Sequence, residues 1–178
     1  MGALRLAAQS LPTDDPIFDS KLLSMVIDPG YRTLDWLVAS ATTPDLKFSG
    51  SFDGGVSSIL RELSQAIGYE EGTGSLEFDM VEQGLETGSI NLGHMVIDMQ
   101  PYKAMVPTIA GNEVATFLAR LGNRRASIAK VFIAGGGADY YKEAIHAELS
   151  TCDVVDMGDP LMSNARGYWL SGCDAFDD

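Results

Sequence analysis

The chain has 178 residues, 46% hydrophobic and 21% charged, which suits one ordinary domain or two small lobes and excludes a disordered composition. A net charge of −13 excludes direct nucleic-acid binding driven by counterion release, which needs clustered Lys and Arg. No apolar stretch reaches the roughly 20 residues of a membrane span, and Cys152 and Cys173 form neither a CxxC nor a Cys/His cluster, so a reducing cytoplasm is the default.

Residues 1–20 read as a lead-in. Gly2 to Gln9 is Ala/Leu-rich and reads as a helix, broken by Pro12-Thr13-Asp14-Asp15-Pro16. Arg5 interrupts a run already too short for a signal peptide. A domain rarely opens in mid-helix without a start signal, so missing material upstream is expected. Three strands follow, Leu22–Asp28, Thr33–Ala39 and Leu46–Phe52, joined by turns as an antiparallel meander. Asp53-Gly54-Gly55 opens a helix with Val56, Ile59, Leu60, Leu63 and Ile67 on one face and Gly68 as its C-cap.

Beyond a loop at 70–75, Leu76 to Leu85 reads as a short helix and Ile90 to Met99 as a strand or an irregular arm. Tyr102 to Leu121 carries a helical stripe, but Pro107 and Gly111 mean that it kinks or starts near Thr108; Gly122-Asn123 ends it. The last block alternates: strand Ala129–Ala134, turn Gly135–Ala138, helix Asp139–Leu149, strand Asp153–Asp156, helix Pro160–Leu170, acidic tail 174–178. This is an α/β pattern. Arg120, Arg124 and Arg125 form the single basic knot, either a helix end that complements the dipole or a contact for an acidic partner.

Two segments carry chemistry. Ile27-Asp28-Pro29-Gly30-Tyr31-Arg32-Thr33-Leu34-Asp35 lies between apolar runs and reads as a tight hairpin. Such a turn can aim several N–H groups at one phosphate, and Asp28 at a strand end suits a hydrated Mg²⁺ or an attacking water. Asp28 closes an apolar run, a costly place for a carboxylate, whereas Asp35 reads as a polar outward residue opposite Leu34, Trp36 and Val38. Gly135, Gly136, Gly137 and Ala138 follow a buried strand and open a helix, where open α/β sheets place ligands; a plain tight turn is the other reading. No G-x-G-x-x-G or G-x-x-x-x-G-K-[ST] is present, so a Rossmann fold or a P-loop is poorly supported. Asn164-Ala165-Arg166-Gly167-Tyr168-Trp169 suggests close helix packing near the glycine turn.

Asp28 to Asp35 resembles the D-x-G-G-x-T-x-D phosphate hairpin of actin-like ATPases, Val131 to Ala138 resembles their adenosine motif, and Asp159 to Trp169 looks like their closing helix. Met1-Gly2-Ala3-Leu4 is similar to the segment that enters the second domain. The nearest group is the ParM/StbA plasmid-segregation actins, including PRTRC system protein D. The resemblance implies domain II of an actin-like (ribonuclease H-like) ATPase: an α/β mixed sheet with an antiparallel hairpin meander, flanking helices and a small helical subdomain insertion. It implies residues 1–20 as the lead-in from a missing domain I, 21–68 and 122–173 as the core, and 69–121 as the smaller subdomain.

By the same resemblance, ATP-Mg would bind between the two domains. Asp28 would hold the Mg²⁺ hydration shell or orient the hydrolytic water. Gly30, Tyr31, Arg32 and Thr33 would wrap the phosphates, and Gly135, Gly136, Gly137 and Ala138 would flank the adenosine. The implied function is half of a cytoplasmic, filament-forming ATPase that segregates plasmid or mobile DNA. Its partners would be further copies of itself and a DNA-binding adaptor, with no direct contact to DNA or membrane. A fragment of a small-molecule kinase of the same superfamily, or a non-catalytic filament or adaptor domain, are the alternatives. Tyr31 and Arg32 depart from the pattern: Tyr31 would be strained if it adopted the positive φ of a glycine, and Arg32 would add a charge toward phosphate.

Overall fold

The structure, a computed structural model, describes residues 2–176, with backbone only for 174–176. In chain order come α1 (Gly2–Ser10), a 3₁₀ turn at Pro16–Phe18, β1 (Leu23–Pro29), β2 (Thr33–Ser40), β3 (Thr43–Pro44), β4 (Gly50–Asp53) and α2 (Val56–Glu70). There follow α3 (Phe78–Thr87), β5 (Ser89–Asn91), β6 (Val96–Asp98), α4 (Gln100–Lys103) and α5 (Val106–Leu121). A 3₁₀ turn at Gly122–Ser127 then leads to β7 (Ile128–Ile133), α6 (Ala138–Glu148), β8 (Asp153–Asp156) and α7 (Pro160–Phe176). The mixed sheet has the order β3-β2-β1-β7-β8, with β4 also on β2. β1 and β2 are antiparallel; β1, β7 and β8 are parallel. The largely apolar β1, buried from Leu23 to Ile27, fits its central place, covered on both faces.

On one face Met25, Ile27, Leu34, Trp36, Val131 and Ile133 pack against α2, α5 and α6. Trp36 stacks on Phe117 of α5 at 5.1 Å. On the other face Val26, Ala39, Phe132 and Ala134 pack against Ala3, Leu4 and Ala7 of α1 and against Ile17. α1 crosses α7 where neither helix carries a side chain: a Cβ on Gly167 would fall 1.7 Å from the Gly2 carbonyl oxygen. Between α2 and α5 the chain leaves the sheet for an excursion built from α3, the β5–β6 hairpin and α4.

Several local expectations change. The third strand shrinks to β4, because Asp45 turns the chain by accepting the N–H groups of Phe48 and Ser49, which leaves Leu46 exposed. Gly68 lies inside α2 rather than capping it; the Gly74 carbonyl approaches so closely that a Cβ on Gly68 would sit 2.4 Å from it. Ile90–Met99 resolves into the β5–β6 hairpin. Pro107 lies in the first turn of α5, where its missing N–H costs nothing, and a break at Ala104 and Met105 separates α4. Gly122 ends α5 at φ +52, as expected. α7 runs on to Phe176, while Met1 and the last two residues of the acidic tail lie outside the described residues.

Candidate functional site

The hairpin between β1 and β2 turns at residues 30–33, closed by Gly30 N–H donating to the Thr33 carbonyl at 2.8 Å. Its outer carbonyls are all taken by the start of α2. Val56 N–H donates to Gly30 at 3.1 Å, Ser57 N–H to Tyr31 at 2.8 Å and Gly54 N–H to Arg32 at 3.0 Å. In a trans peptide the C=O of one residue and the N–H of the next point in opposite directions. The N–H groups of Tyr31, Arg32 and Thr33 therefore point away from α2, side by side. Such a row of amides is a concavity for an anion. The expected strain at Tyr31 is absent: among non-glycine residues described, positive φ occurs at Ala41 and Thr42, in the β2–β3 turn. Tyr31 is half exposed and Arg32 is exposed, so both side chains frame the row rather than bury it.

Asp28 and Asp35 face each other across the β1–β2 ladder. Asp35 is not an outward residue; it shares with Asp28 the sheet face that α1 and α7 cover, because strand alternation sets both opposite Ile27 and Trp36. Thr33 Oγ1 donates to Asp35 Oδ2 at 2.9 Å. Asn164 Nδ2 donates to Asp28 Oδ2 at 2.5 Å. Burial pushes the Asp28 carboxyl above the ordinary carboxylate range, the Asp35 charge adds to the rise, and the Asn164 amide partly offsets it. A cation brought to this pair would relieve that charge. Among the described residues no three His, Cys, Asp or Glu side chains converge to cage a metal. The facing carboxylates of Asp28 and Asp35 are a donor set that suits an ion keeping most of its water, as Mg²⁺ does.

The glycine turn lies against the same point. Gly135 has φ +81, and a Cβ there would fall 2.1 Å from Asp28 Oδ1. Its N–H donates to the Pro160 carbonyl at 2.8 Å, and Gly137 N–H donates to the Pro29 carbonyl at 2.8 Å. Gly135, Gly137 and Ala138 are buried by these contacts; Gly136 is exposed. The turn thus ties the ends of β1 and β7 together and leads into α6. Next to α6 a cavity of about 370 Å³ is lined by Leu85, Glu86, Lys103, Val106, Asp139 and Tyr140. Burial, then Glu82 and Glu86, push the Tyr140 hydroxyl up to about 12.

The sequence-expected residues Asp28, Gly30 to Thr33 and Gly135 to Ala138 thus converge at one end of the sheet. The arginine knot does not join them. Arg120 stacks 5.5 Å over Trp36, Arg124 stacks 4.6 Å over Phe48, and Arg125 bonds the Glu148 carbonyl. Two residues gain importance. Asn164, read as helix packing, also reaches Asp28. Glu113, not singled out by sequence, accepts from Gly55 N–H at 3.2 Å, from the Ser58 hydroxyl, and from Tyr141 OH at 2.5 Å. The signal for it was its place in α5, an acid beside Val114 and four residues before Phe117 on the buried stripe.

The fold and the convergence of a β-hairpin, a strand-end aspartate and a glycine turn define an actin-like domain. The chain belongs to the family described as archaeal actin homologue MreB-like, C-terminal, which matches residues 26–147. No curated protein matches it in sequence. Among solved structures, the archaeal actin homolog Ta0583 is 21% identical, with a TM-score of 0.81 over 97% of this chain and 54% of its own; its complex with ADP gives 0.77. The non-polymerisable quadruple mutant of pCBH ParM is 19% identical, with a TM-score of 0.81 over 98% of this chain and 53% of its own. A 15-stranded ParM filament from Clostridium botulinum is 22% identical, with a TM-score of 0.73 over 97% of this chain and 51% of its own. These likenesses establish the actin-like, ParM-type fold, and the chain spans about half the length of the structures it matches.

Proposed function

We propose that the chain is the nucleotide-binding half of an actin-like ATPase that polymerises to segregate plasmid or mobile DNA, with ATP-Mg held between this half and a second one. The observation that carries the reading is the outward row of N–H groups at Tyr31, Arg32 and Thr33 beside Asp28 and the glycine turn. In this reading the row and Arg32 hold phosphate oxygens, and Asp28 takes the Mg²⁺ hydration shell or orients the attacking water. Gly135 to Ala138 flank the adenosine, with the cavity between α3, α4, α5 and α6 as the base subsite. The nucleotide's contribution is a γ-phosphate open to in-line attack, and this chain supplies positioning and electrostatics.

The ADP complex of Ta0583 supports the nucleotide, and the ParM filament supports self-association. A DNA-binding adaptor then makes the link to DNA, since a chain of net charge −13 is unsuited to bind it directly. In the same reading residues 1–20 lead in from the second half, 21–68 and 122–173 form the core, and 69–121 supply base and ribose contacts. Among the described residues no helix is long and apolar enough to cross a membrane.

Titration of the chain with ATP-Mg, followed by amide chemical shifts, tests this. Weak binding is expected, with shifts at Asp28, residues 30–33 and 135–138 and almost no hydrolysis. Unmoved resonances at saturating ATP-Mg sink the nucleotide site, and robust turnover by these 178 residues alone sinks the half-site.

A further inference from the structure

The start of α2 lacks a cap of its own. Its N-cap residue is Gly55 at φ +76, which has no side chain to offer. Glu113, 58 residues away on α5, takes that place by accepting the Gly55 N–H and the Ser58 hydroxyl. A carboxylate at a helix N-terminus is favoured by the exposed N–H groups and the helix dipole. The neighbouring amides of Gly54, Val56 and Ser57 are the ones that hold the hairpin carbonyls. Glu113 therefore fixes the turn of backbone on which the row at Tyr31, Arg32 and Thr33 depends.

The third partner of Glu113 lies on the other side of the site. Tyr141, fully buried in the first turns of α6, donates its hydroxyl to Glu113 Oε2. Burial first, and then Glu113, hold that hydroxyl far above its ordinary pKa, so it remains a donor. α6 is the helix that the glycine turn opens, and Asp139 and Tyr140, just before Tyr141, line the cavity beside it. One carboxylate thus joins the helix behind the hairpin to the helix behind the glycine turn.

We propose that Glu113 is a positioning residue that, through Gly55 and Ser58 on one side and Tyr141 on the other, couples occupancy beside the glycine turn to the set of the phosphate-facing hairpin. The inference rests on the nucleotide reading above. A nucleoside without phosphates would, by settling α6, order the hairpin in advance of phosphate contact. The shared acceptor makes the coupling mechanical: the Tyr141 hydroxyl and the Gly55 amide both bond Glu113 Oε2, so a shift of α6 against α5 either carries that oxygen with it or breaks its bond to Tyr141.

The test uses amide exchange in the whole chain, with Tyr141→Phe as the mild variant that keeps the ring in the core and Glu113→Gln as the stronger one. Without ligand, loss of a charge-assisted bond predicts exchange at Gly54, Val56 and Ser57 faster by about tenfold, with β7 amides unchanged. In the wild type, adenosine alone is expected to slow exchange at those three amides; in Tyr141→Phe the slowing disappears while adenosine still binds. Unaltered exchange at the three amides in both variants overturns the coupling. Adenosine that binds the wild type without slowing them overturns it as well. Failure of adenosine and ADP to bind the wild type is a separate outcome, and it overturns the nucleotide reading together with the coupling.

Discussion

Asn164 holds Asp28 with one end of its amide and α1 with the other. Its Nδ2 donates to Asp28 Oδ2 at 2.5 Å, and its Oδ1 accepts the Ala3 N–H at 3.0 Å. The two bonds fix which end of the amide faces the carboxylate, so Asp28 meets a donor that cannot turn away. This contact also joins the strand end to the α1–α7 pair, whose backbones approach closely at Gly2 and Gly167.

Asn164→Ala leaves a half-buried carboxylate and a backbone N–H without partners, a loss of about 1–3 kcal/mol. The loss depends on pH. The amide favours the charged form of Asp28, so its removal matters most where Asp28 is ionised. Urea unfolding is expected to show the larger deficit at pH 7 and a smaller one at pH 4. An equal deficit at both values would show that the Ala3 bond alone matters.

Asp28→Asn is expected to stabilise the chain near neutral pH. The Asp28 pKa is raised in the folded state, first by burial and then by Asp35, so the folded protein holds this proton more tightly than the unfolded chain. The resulting stability is complete below the ordinary value of 3.8 and is lost as pH rises through the folded pKa. Asn removes the charge and with it that segment of the pH profile. Melting curves from pH 4 to pH 8 check the sign: the variant is expected to exceed the wild type increasingly toward neutrality, and a lower melting temperature at pH 7 contradicts it. The same variant should lose the response to ATP-Mg, a result that would mark Asp28 as a residue kept for function at a cost in stability.

The two chemical segments were legible because their signals are local. A carboxylate ending the apolar run of β1 and three glycines after β7 need no tertiary knowledge to stand out, and the strand alternation of Leu34, Trp36 and Val38 was legible too. Asp35 was misread because alternation tells which residues share a face but not which helices will cover that face. Glu113 and Asn164 act through partners 58 and 136 residues away, so no spacing rule could pair them. The hairpin's outward amides follow from hydrogen bonds made by Gly54, Val56 and Ser57, an arrangement that the pattern Asp-Gly-Gly announced only as a helix start.

Gly135→Ala and Gly136→Ala should separate sharply. At Gly135 the Cβ would meet Asp28 Oδ1 at 2.1 Å and Pro29 O at 2.6 Å, on a backbone at φ +81. Neither strain can relax without moving the end of β1, so a loss of more than about 3 kcal/mol is expected. At Gly136 the nearest atom is Leu161 Cδ1 at 3.1 Å, the far end of an exposed flexible side chain, and φ is not positive. A change within about 0.5 kcal/mol is expected there. Chemical denaturation of the two variants measures both, and equal losses would contradict the placement of the turn against Asp28.

Lys130 anchors the lead-in to the sheet. Its Nζ lies 2.6 Å from Asp15 Oδ2 and 3.1 Å from Asp153 Oδ2, with the Lys130 and Asp15 side chains each 8% exposed. Burial alone would favour the neutral form of each group. Hydrogen bonds and opposite charge together outweigh it, from Lys130 and the Ile17 N–H at Asp15 and from Asp15 and Asp153 at Lys130, so the Asp15 carboxyl lies below its ordinary value of 3.8 and the Lys130 ammonium above 10.5. The Asp15 contribution is therefore present above pH 3.8 and lost as pH falls through the lowered pKa; the Lys130 contribution is present below 10.5 and lost as pH rises through the raised one. Lys130→Met keeps the apolar stem but leaves Asp15 without its counter-charge, a loss of about 2–3 kcal/mol at pH 7. Ser24, aligned with Lys130 across the parallel β1–β7 pair, is the control. Its buried hydroxyl has no hydrogen-bond partner among the described residues, so Ser24→Ala should be neutral or stabilising. Denaturation at pH 7 is expected to place Lys130→Met below the wild type and Ser24→Ala at or above it. A Lys130→Met chain as stable as the wild type would mean that α1 and its crossing with α7 hold the lead-in without the ion pair.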